Sequence, residues 1–234
     1  MKDRTLFRYP VSGHYWRLAV GEFKSLKVLI VAALLTALRI AVKSLSIPIM
    51  PGLKITFGFI FNAAGSMIYG PVVAVATSAI SDTLGAIMFP SGPYFFPYIF
   101  EEIAGGVLFA LWYYRTNLST LRVILGRLSV TVIVNFIISP VITIYYYEYV
   151  MGKSYVFFSL PRIIKNLALF PVQSLILVLL FRLLLPITNR QNLTFTGTTD
   201  LRIQKKDVIW IIVLTVVSAM ALLGYFWYQT AKAG

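Results

Sequence analysis

The chain contains no cysteine and only one histidine, His14. Without cysteine it can form neither a disulfide framework nor a thiolate metal site, and a single histidine excludes most histidine-based metal chemistry. The sequence also lacks a GxxxxGKS/T phosphate-binding loop, so any ATP hydrolysis must take place in another chain. We therefore expect no metal, no cofactor and no enzymatic activity in this chain.

Charged residues are also scarce. They make up 12% of the chain, against about 25% in a typical soluble domain, whereas 59% of the residues are hydrophobic. This composition indicates an integral membrane protein. The formal net charge of +13 is compatible with nucleic-acid binding, but the basic residues lie at the ends of apolar runs and not in one stripe. They are typical of charges that flank membrane spans, so we expect no nucleic-acid partner.

The apolar runs have the length of about 20 residues that crossing a hydrocarbon core requires. The sequence Tyr69-Gly70-Pro71 divides the longest uncharged stretch, because Gly-Pro breaks a helix and favours a tight turn. The predicted fold class is an all-α integral membrane protein, with a six-helix bundle and one additional C-terminal transmembrane helix. The predicted spans are residues 26–45, 55–69, 71–88, 97–114, 121–147, 160–185 and 208–228.

The spans divide the chain into four parts, which are an N-terminal segment (1–25), the six-helix membrane domain (26–185), a polar, solvated linker (186–207) and the additional helix (208–234). The first part carries aromatic residues among arginines and no signal-peptide core, so we expect it to lie on the cytoplasmic surface of the membrane. Most lysines and arginines fall on the same side as the N-terminus. The positive-inside rule then predicts a multi-pass protein of the cell membrane with a cytoplasmic N-terminus.

The sequence "FPSGPYFF" (89–96) separates two apolar runs with two prolines, a glycine and several aromatic rings. On the predicted topology this stretch lies outside the cell. A proline-stiffened aromatic loop there can act as a lid over a flat apolar ligand, since prolines lower the entropy lost when the loop becomes ordered. An aromatic belt at the membrane interface accounts for the same residues equally well.

Ionisable side chains inside the predicted spans are a further signal, because such groups usually mark a ligand path or a partner contact. They lie near the outer ends of the third, fourth and sixth spans. The residues concerned are Asp82, Glu101, Glu102, Arg162 and Lys165, and Asn166 shares a helical face with the last two. The structural alternative is that Asp82 or Glu101 forms ion pairs with Arg162 or Lys165, or that these side chains snorkel to the interface.

Several motifs occur together in the order and spacing of one family. They are "FGF", "GP", "SDTLGA", "FPSGPYF" and "RIIKN", within residues 26–185. With these motifs the chain resembles the folate-specific substrate-binding (S) component of energy-coupling factor (ECF) vitamin transporters. Ala33 and Ala37 also fit the small-residue A-x-x-x-A pattern found on the first helix of S components, although this pattern is common in membrane helices.

The resemblance implies a six-helix S component of an ABC-type importer, which binds folate from outside the cell. S components of this group dock on a transmembrane coupling subunit that two ATPase subunits drive, and they are thought to topple in the membrane to deliver their ligand. The resemblance also implies that Ala33 and Ala37 contact the coupling subunit. Another vitamin, such as pantothenate or thiamin, is the alternative ligand.

Folate joins a flat pterin to a benzoyl ring and a glutamate, so its site needs aromatic walls, hydrogen-bonding partners and cations. The excess of basic residues in the predicted outer connections also favours an anionic ligand over a cation such as thiamin. The candidate residues for the aromatic walls are Tyr94, Phe95 and Phe96, and Ser91 is a further candidate in the same stretch. The candidates for binding the pterin are Asp82, Glu101 or Asn166. The candidates for binding the glutamate are Lys54, Arg162 or Lys165. Within each set the assignment stays open.

Two other classes of function fit parts of the sequence. One family of intramembrane proteases uses a Glu-Glu pair, followed by an arginine four residues later and by histidines that activate water. Here Gly106 occupies the position of that arginine and no histidine follows Glu102, which argues against a protease. A purely structural protein or a channel is the other class, and it predicts no saturable ligand binding.

Overall fold

The computed structural model describes residues 5–45, 47–50, 53–90, 94–154, 157, 160–193, 196–198 and 201, and isolated positions between 209 and 224. Within this part the chain forms a set of α-helices and one short β-hairpin. The elements are α1 (Gly13–Gly21), α2 (Leu26–Lys43), β1 (Ile47–Met50), β2 (Leu53–Ile55), α3 (Gly58–Met88), α4 (Ile99–Tyr113), α5 (Thr120–Val150) and α6 (Leu160–Arg190).

Three helices of the described part are long and apolar enough to cross a membrane, namely α3, α5 and most of α6. A fourth candidate consists of α1 with the turn that follows it and α2, which meet at an angle of 82°. The two helices are therefore not collinear, and α1 lies across the direction of α2.

The helix α3 is interrupted at Gly70, where φ is 75° and the backbone leaves the helical region. A positive φ favours glycine, and Pro71 has no amide hydrogen with which to continue the helix. A Cβ at Gly70 would also lie 3.0 Å from the ring of Tyr114, so the close approach of this side chain requires glycine. The break lies where the sequence predicts it, and it divides α3 into a first arm (58–69) and a second arm (71–88).

The core of the bundle lies between the first arm of α3, α4, α5 and α6. Phe109, Tyr113 and Phe181 are fully buried, with the rings of Tyr113 and Phe181 edge to face at 4.9 Å. The hydroxyl of Tyr113 donates to the carbonyl of Val123 at 2.8 Å, which satisfies the only polar group of that ring. Together α2, the two arms of α3, α4, α5 and α6 form the six-helix, all-α bundle that the sequence predicts.

A β-hairpin joins α2 to α3. Its two strands are antiparallel, with Ile47 opposite Ile55 and Pro48 opposite Lys54. The sequence predicts only a connection here, because strands of three and four residues are too short for an alternating pattern to stand out.

The end of α6 and the segment after it differ from the prediction. The helix continues past Pro186 to Arg190, since Leu185 and Thr188 on either side of the proline remain buried in the bundle. Beyond the helix, the hydroxyl of Thr198 donates to the carbonyl of Leu118 at 2.9 Å, and Leu201 is buried. This part of the linker is therefore packed and not solvated. The additional helix predicted at 208–228 lies, apart from isolated positions, outside the described residues.

Candidate functional site

One end of the bundle brings together most of the side chains that the sequence singles out. It contains the last turns of α2, of the second arm of α3 and of α5, and the first turns of α4 and α6. We call it the hairpin end, because β1 and β2 follow α2 there. Two groups of polar side chains and one group of aromatic rings lie at this end.

The first group is a network of four ionised side chains, which we call the α2 ion network. Arg39 forms an ion pair with Glu102, and its guanidinium also donates to the hydroxyl of Ser78 at 3.1 Å. The ammonium of Lys43 lies 3.2 Å from Oδ1 of Asp82 and 4.0 Å from Oε1 of Glu102. The network therefore ties α2 to α4 and to the second arm of α3.

Small residues allow the helices of this network to approach closely. A Cβ at Gly106 would lie 2.7 Å from the hydroxyl oxygen of Ser78, and one at Gly85 would lie 2.6 Å from Cδ of Lys43. The hydroxyl of Ser66 donates to the carbonyl of Gly106 at 3.0 Å, which further joins α3 to α4. Gly106, which occupies the position of the arginine in the Glu-Glu proteases, therefore allows α3 and α4 to pack closely in this chain.

The structural alternative, in which Asp82 pairs with Arg162 or Lys165, does not hold for Asp82. It pairs with Lys43. Sequence reasoning missed Lys43 and Arg39 as members of the site, although their spacing of four residues places them on one face of α2. Near the end of a predicted span they were indistinguishable from ordinary flanking charges.

The second group, the α6 polar cluster, consists of Glu101, Asn135, Arg162, Lys165 and Asn166. The amide of Asn135 donates to the side-chain oxygen of Asn166 at 2.7 Å, and the amide of Asn166 donates to the carbonyl of Arg162 at 2.9 Å. Glu101 interacts electrostatically with Arg162, and Lys165 lies close enough to Arg162 to be repelled by it. All five are half-buried, and the two cations outnumber the one carboxylate.

Asn135 was not predicted as a site residue. It lies in a π-helical stretch of α5, Val130–Ile138, and such wider turns often occur at functional sites. A lone asparagine in an apolar run was the available signal in the sequence.

An aromatic group covers the same end of the bundle. The centroid of the Phe95 ring lies 5.7 Å from that of Tyr98 and 5.0 Å from that of Tyr146. It also lies 6.0 Å from the centroid of Tyr145, and these two rings stack with an interplanar angle of 25°. These contacts connect the aromatic stretch before α4 to the end of α5. Phe95 therefore packs against the end of α5 and is half-buried.

Two further residues of the aromatic stretch take different directions. Tyr94 is half exposed, with its hydroxyl 3.5 Å from Oδ2 of Asp82 in the α2 ion network. Phe96 is mostly exposed and packs on Phe100. Of the other candidates, Ser91 lies outside the described residues, and Lys54 is described only by its backbone in β2.

Two buried acceptor atoms near these clusters have no hydrogen-bond donor in the described part of the chain. They are Oε1 of Glu101 and Oδ1 of Asn62 on the first arm of α3. A buried acceptor without a donor is unfavourable by about 1–3 kcal/mol. A ligand that carries N–H groups would satisfy them. Among the described residues no three of His, Cys, Asp and Glu come close enough to hold a metal ion.

Ala33 and Ala37 lie on the opposite face of α2 from the ion network. Both are exposed, as is Ala41 one turn further on, whereas Ala32 and Thr36 are buried. The three exposed alanines form a shallow strip along α2, which we call the alanine strip.

Comparison with known proteins identifies the family. A family model described as "ECF transporter, substrate-specific component" matches residues 27–181. The folate transporter FolT of Clostridium novyi (strain NT) is 30% identical over 155 residues, which cover 66% of this chain and 87% of that protein. The folate transporter FolT of Streptococcus mutans is 30% identical over 167 residues, which cover 64% of this chain and 90% of that protein.

The fold agrees with these relatives. A crystal structure of FolT bound with folic acid superposes with a TM-score of 0.56 and 28% sequence identity, covering 64% of this chain and 88% of that one. The stretch that the family model matches contains the α2 ion network, the α6 polar cluster and the alanine strip. The chain therefore belongs to the family of substrate-specific components of ECF transporters.

Proposed function

We propose that this chain is the folate-binding S component of an ECF-type importer, which captures folate at the hairpin end and delivers it through partner subunits. Its similarity to proteins named as folate transporters, and to a FolT structure that contains folic acid, supports this choice of ligand. The family's role is to bind a substrate and not to catalyse a reaction.

The observation that carries the proposal is the α6 polar cluster, where half-buried cations and hydrogen-bonding side chains meet beside aromatic rings. Arg162 and Lys165 provide positive charge for the two carboxylates of the glutamate. Glu101 has an acceptor oxygen without a donor, which suits the N–H groups of a pterin. Phe95 and the tyrosines near it provide flat apolar surfaces for the rings.

Folate reaches this site from outside the cell under the proposed topology. The excess of lysine and arginine on the side of the N-terminus supports a cytoplasmic N-terminus in the cell membrane. The hairpin end then faces outward, with the two strands of the hairpin and residues 89–90 and 94–96 of the aromatic stretch at the entrance. The prolines of that stretch make it suited to act as a lid, because they limit the entropy lost when it closes.

Delivery requires partners, since the chain has no phosphate-binding loop. We assign the alanine strip as the surface that contacts a transmembrane coupling subunit, which two ATPase subunits drive. Its three exposed small side chains allow another helix to approach closely, and close approach is the main requirement for helix association in lipid.

Purified protein is expected to bind folate saturably in the absence of ATP, because the site is complete within one chain. Titration calorimetry in detergent measures this directly, with pantothenate and thiamin as competing candidates. Heat with one of those vitamins but none with folate would assign the chain to a different substrate. No saturable heat with any of them would favour a structural or channel role.

Replacing Arg162 or Lys165 by alanine is expected to weaken folate binding by about 1.5–3 kcal/mol, or roughly ten- to a hundredfold, as for the loss of a charge-assisted hydrogen bond. The loss should be smaller for a pterin without the glutamate. Lys153→Ala is the matched control, because it removes an exposed lysine at the same end of the bundle. Equal losses for both ligands would show that the residue only stabilises the fold.

A further inference from the structure

The N-terminal helix α1 is held against the bundle by one of its faces. Tyr15 and Ala19 are fully buried, and the hydroxyl of Tyr15 donates to the carbonyl of Ala110 on α4 at 3.2 Å. The rings of Tyr15 and Tyr114 meet edge to face at 5.5 Å. Burial raises the pKa of the Tyr15 hydroxyl, so it stays protonated and keeps its donor role.

A buried cluster of three side chains fixes the bend between α1 and α2. Glu22, in the single turn that joins the two helices, forms an ion pair with Arg115 at 3.1 Å, and each side chain is only 2% exposed. The hydroxyl of Tyr114 donates to Glu22 at 2.9 Å and accepts from Nε of Arg115 at 2.8 Å. Because each member contacts the other two, the cluster sets the direction in which α1 leaves α2.

The exposed sides of α1 and of the turn Glu22–Lys24 that follows it present two rows of side chains. Trp16, Val20 and Phe23, spaced four and three residues apart, form an apolar row whose members are 41%, 54% and 41% exposed. Arg17 and Lys24, seven residues apart, form an exposed basic row beside it. Between residues 5 and 25 the single acidic residue is the buried Glu22, so the exposed charge of this segment is entirely positive.

The orientation of α1 relative to α2 places these rows at the membrane surface. With α2 crossing the membrane as the first predicted span, the 82° bend between the two helices directs α1 close to the plane of the membrane. A helix in that plane with adjacent apolar and basic rows has the pattern of an interfacial anchor. An apolar row can enter the boundary of the acyl chains while neighbouring cations meet lipid phosphates, and anionic lipids attract such cations.

We propose that α1 is an interfacial anchor that binds anionic lipid head groups through Arg17 and Lys24, with Trp16, Val20 and Phe23 inserted beside them. Lipid fits better than a protein partner, because the surface is a narrow row of apolar side chains with cations on one flank and no polar rim around it. The anchor keeps α1 at the membrane surface, at the end of the bundle opposite to the hairpin. This role goes beyond ligand binding and does not depend on which vitamin the chain carries.

The absence of cysteine makes the test direct, since a single cysteine can carry a nitroxide label. The label is placed at Val20→Cys, and Gly21→Cys is the control, because Gly21 is exposed on the water side and a Cβ there meets nothing within 4 Å. The full chain is reconstituted in nanodiscs of phosphatidylcholine, with or without about a third of phosphatidylglycerol. Depth is measured from collisions with oxygen and with a water-soluble nickel chelate.

With anionic lipid, the label at position 20 is expected to lie about 5–10 Å below the head-group phosphates, while the label at position 21 stays in water. Removing phosphatidylglycerol, raising the salt concentration, or adding Arg17→Gln and Lys24→Gln should each make the first label shallower. The salt series needs no variant of the basic row, so it holds even if that variant is poorly folded. A water-exposed label at position 20 in anionic discs, or a depth that responds neither to anionic lipid nor to salt, would overturn the proposal.

Discussion

Replacing Ala33 by tryptophan is expected to abolish uptake and co-purification with the coupling subunit, while folate affinity stays within a few-fold of the original. Ala33 is exposed on the alanine strip, so the indole adds bulk where the partner helix must approach, and little bulk inside the bundle. The same reasoning applies to Ala37→Trp. Uptake into vesicles that contain the complete transporter measures the first effect, and titration calorimetry on the isolated chain measures the second.

Leu38→Trp is the matched control for this experiment. Leu38 is an exposed residue of the same helix but lies outside the alanine strip, so an indole there faces lipid and should leave uptake intact. If Ala33→Trp bound folate poorly and still assembled with the coupling subunit, the strip would not be the partner surface. If Ala33→Trp and the control Leu38→Trp lost uptake equally, the effect would come from added bulk on α2 in general.

The fold follows from the sequence where long apolar runs and strong helix breakers decide it. The start of α2 at Leu26 and the break at Gly70 both agree with the prediction, because hydropathy and Gly-Pro act locally. The β-hairpin was missed, since its pairing depends on where α2 and α3 place its ends. The packed segment after α6 was missed as well, because the burial of Leu201 depends on contacts with distant helices.

The sequence indicates which ionisable side chains lie within the spans, but it does not indicate which side chains they contact. Glu101 and Glu102 are adjacent, but successive residues of a helix point about 100° apart, so they face different neighbours. Glu102 forms an ion pair with Arg39 on α2, whereas Glu101 interacts electrostatically with Arg162 on α6. Which way each carboxylate points depends on the rotation of α4 within the bundle. Local sequence patterns do not determine that rotation.

Because Glu101 and Glu102 interact with different helices, we expect a large effect on stability when Glu102 alone is changed. Glu102→Gln is expected to destabilise the protein by about 3–5 kcal/mol, because it leaves Arg39 buried without its counter-charge. Arg39 is only 4% exposed, and Ser78 provides just one neutral hydrogen bond to it. The substitution preserves the shape of the side chain, so lost packing contributes little. Thermal unfolding of the detergent-purified chain, without ligand, measures the change.

Glu101→Gln is the matched control, one residue away with the same change of chemistry. Its Oε1 has no donor in the described part of the chain, and its carboxylate interacts with Arg162, so we expect a smaller loss of stability and a clear loss of folate binding. Adding Arg39→Met to Glu102→Gln should recover most of the stability, since removing both charges also removes the unpaired one. Equal destabilisation by the two glutamine variants, or no recovery in the double variant, would contradict the separate roles of Glu102 in the fold and Glu101 in the site.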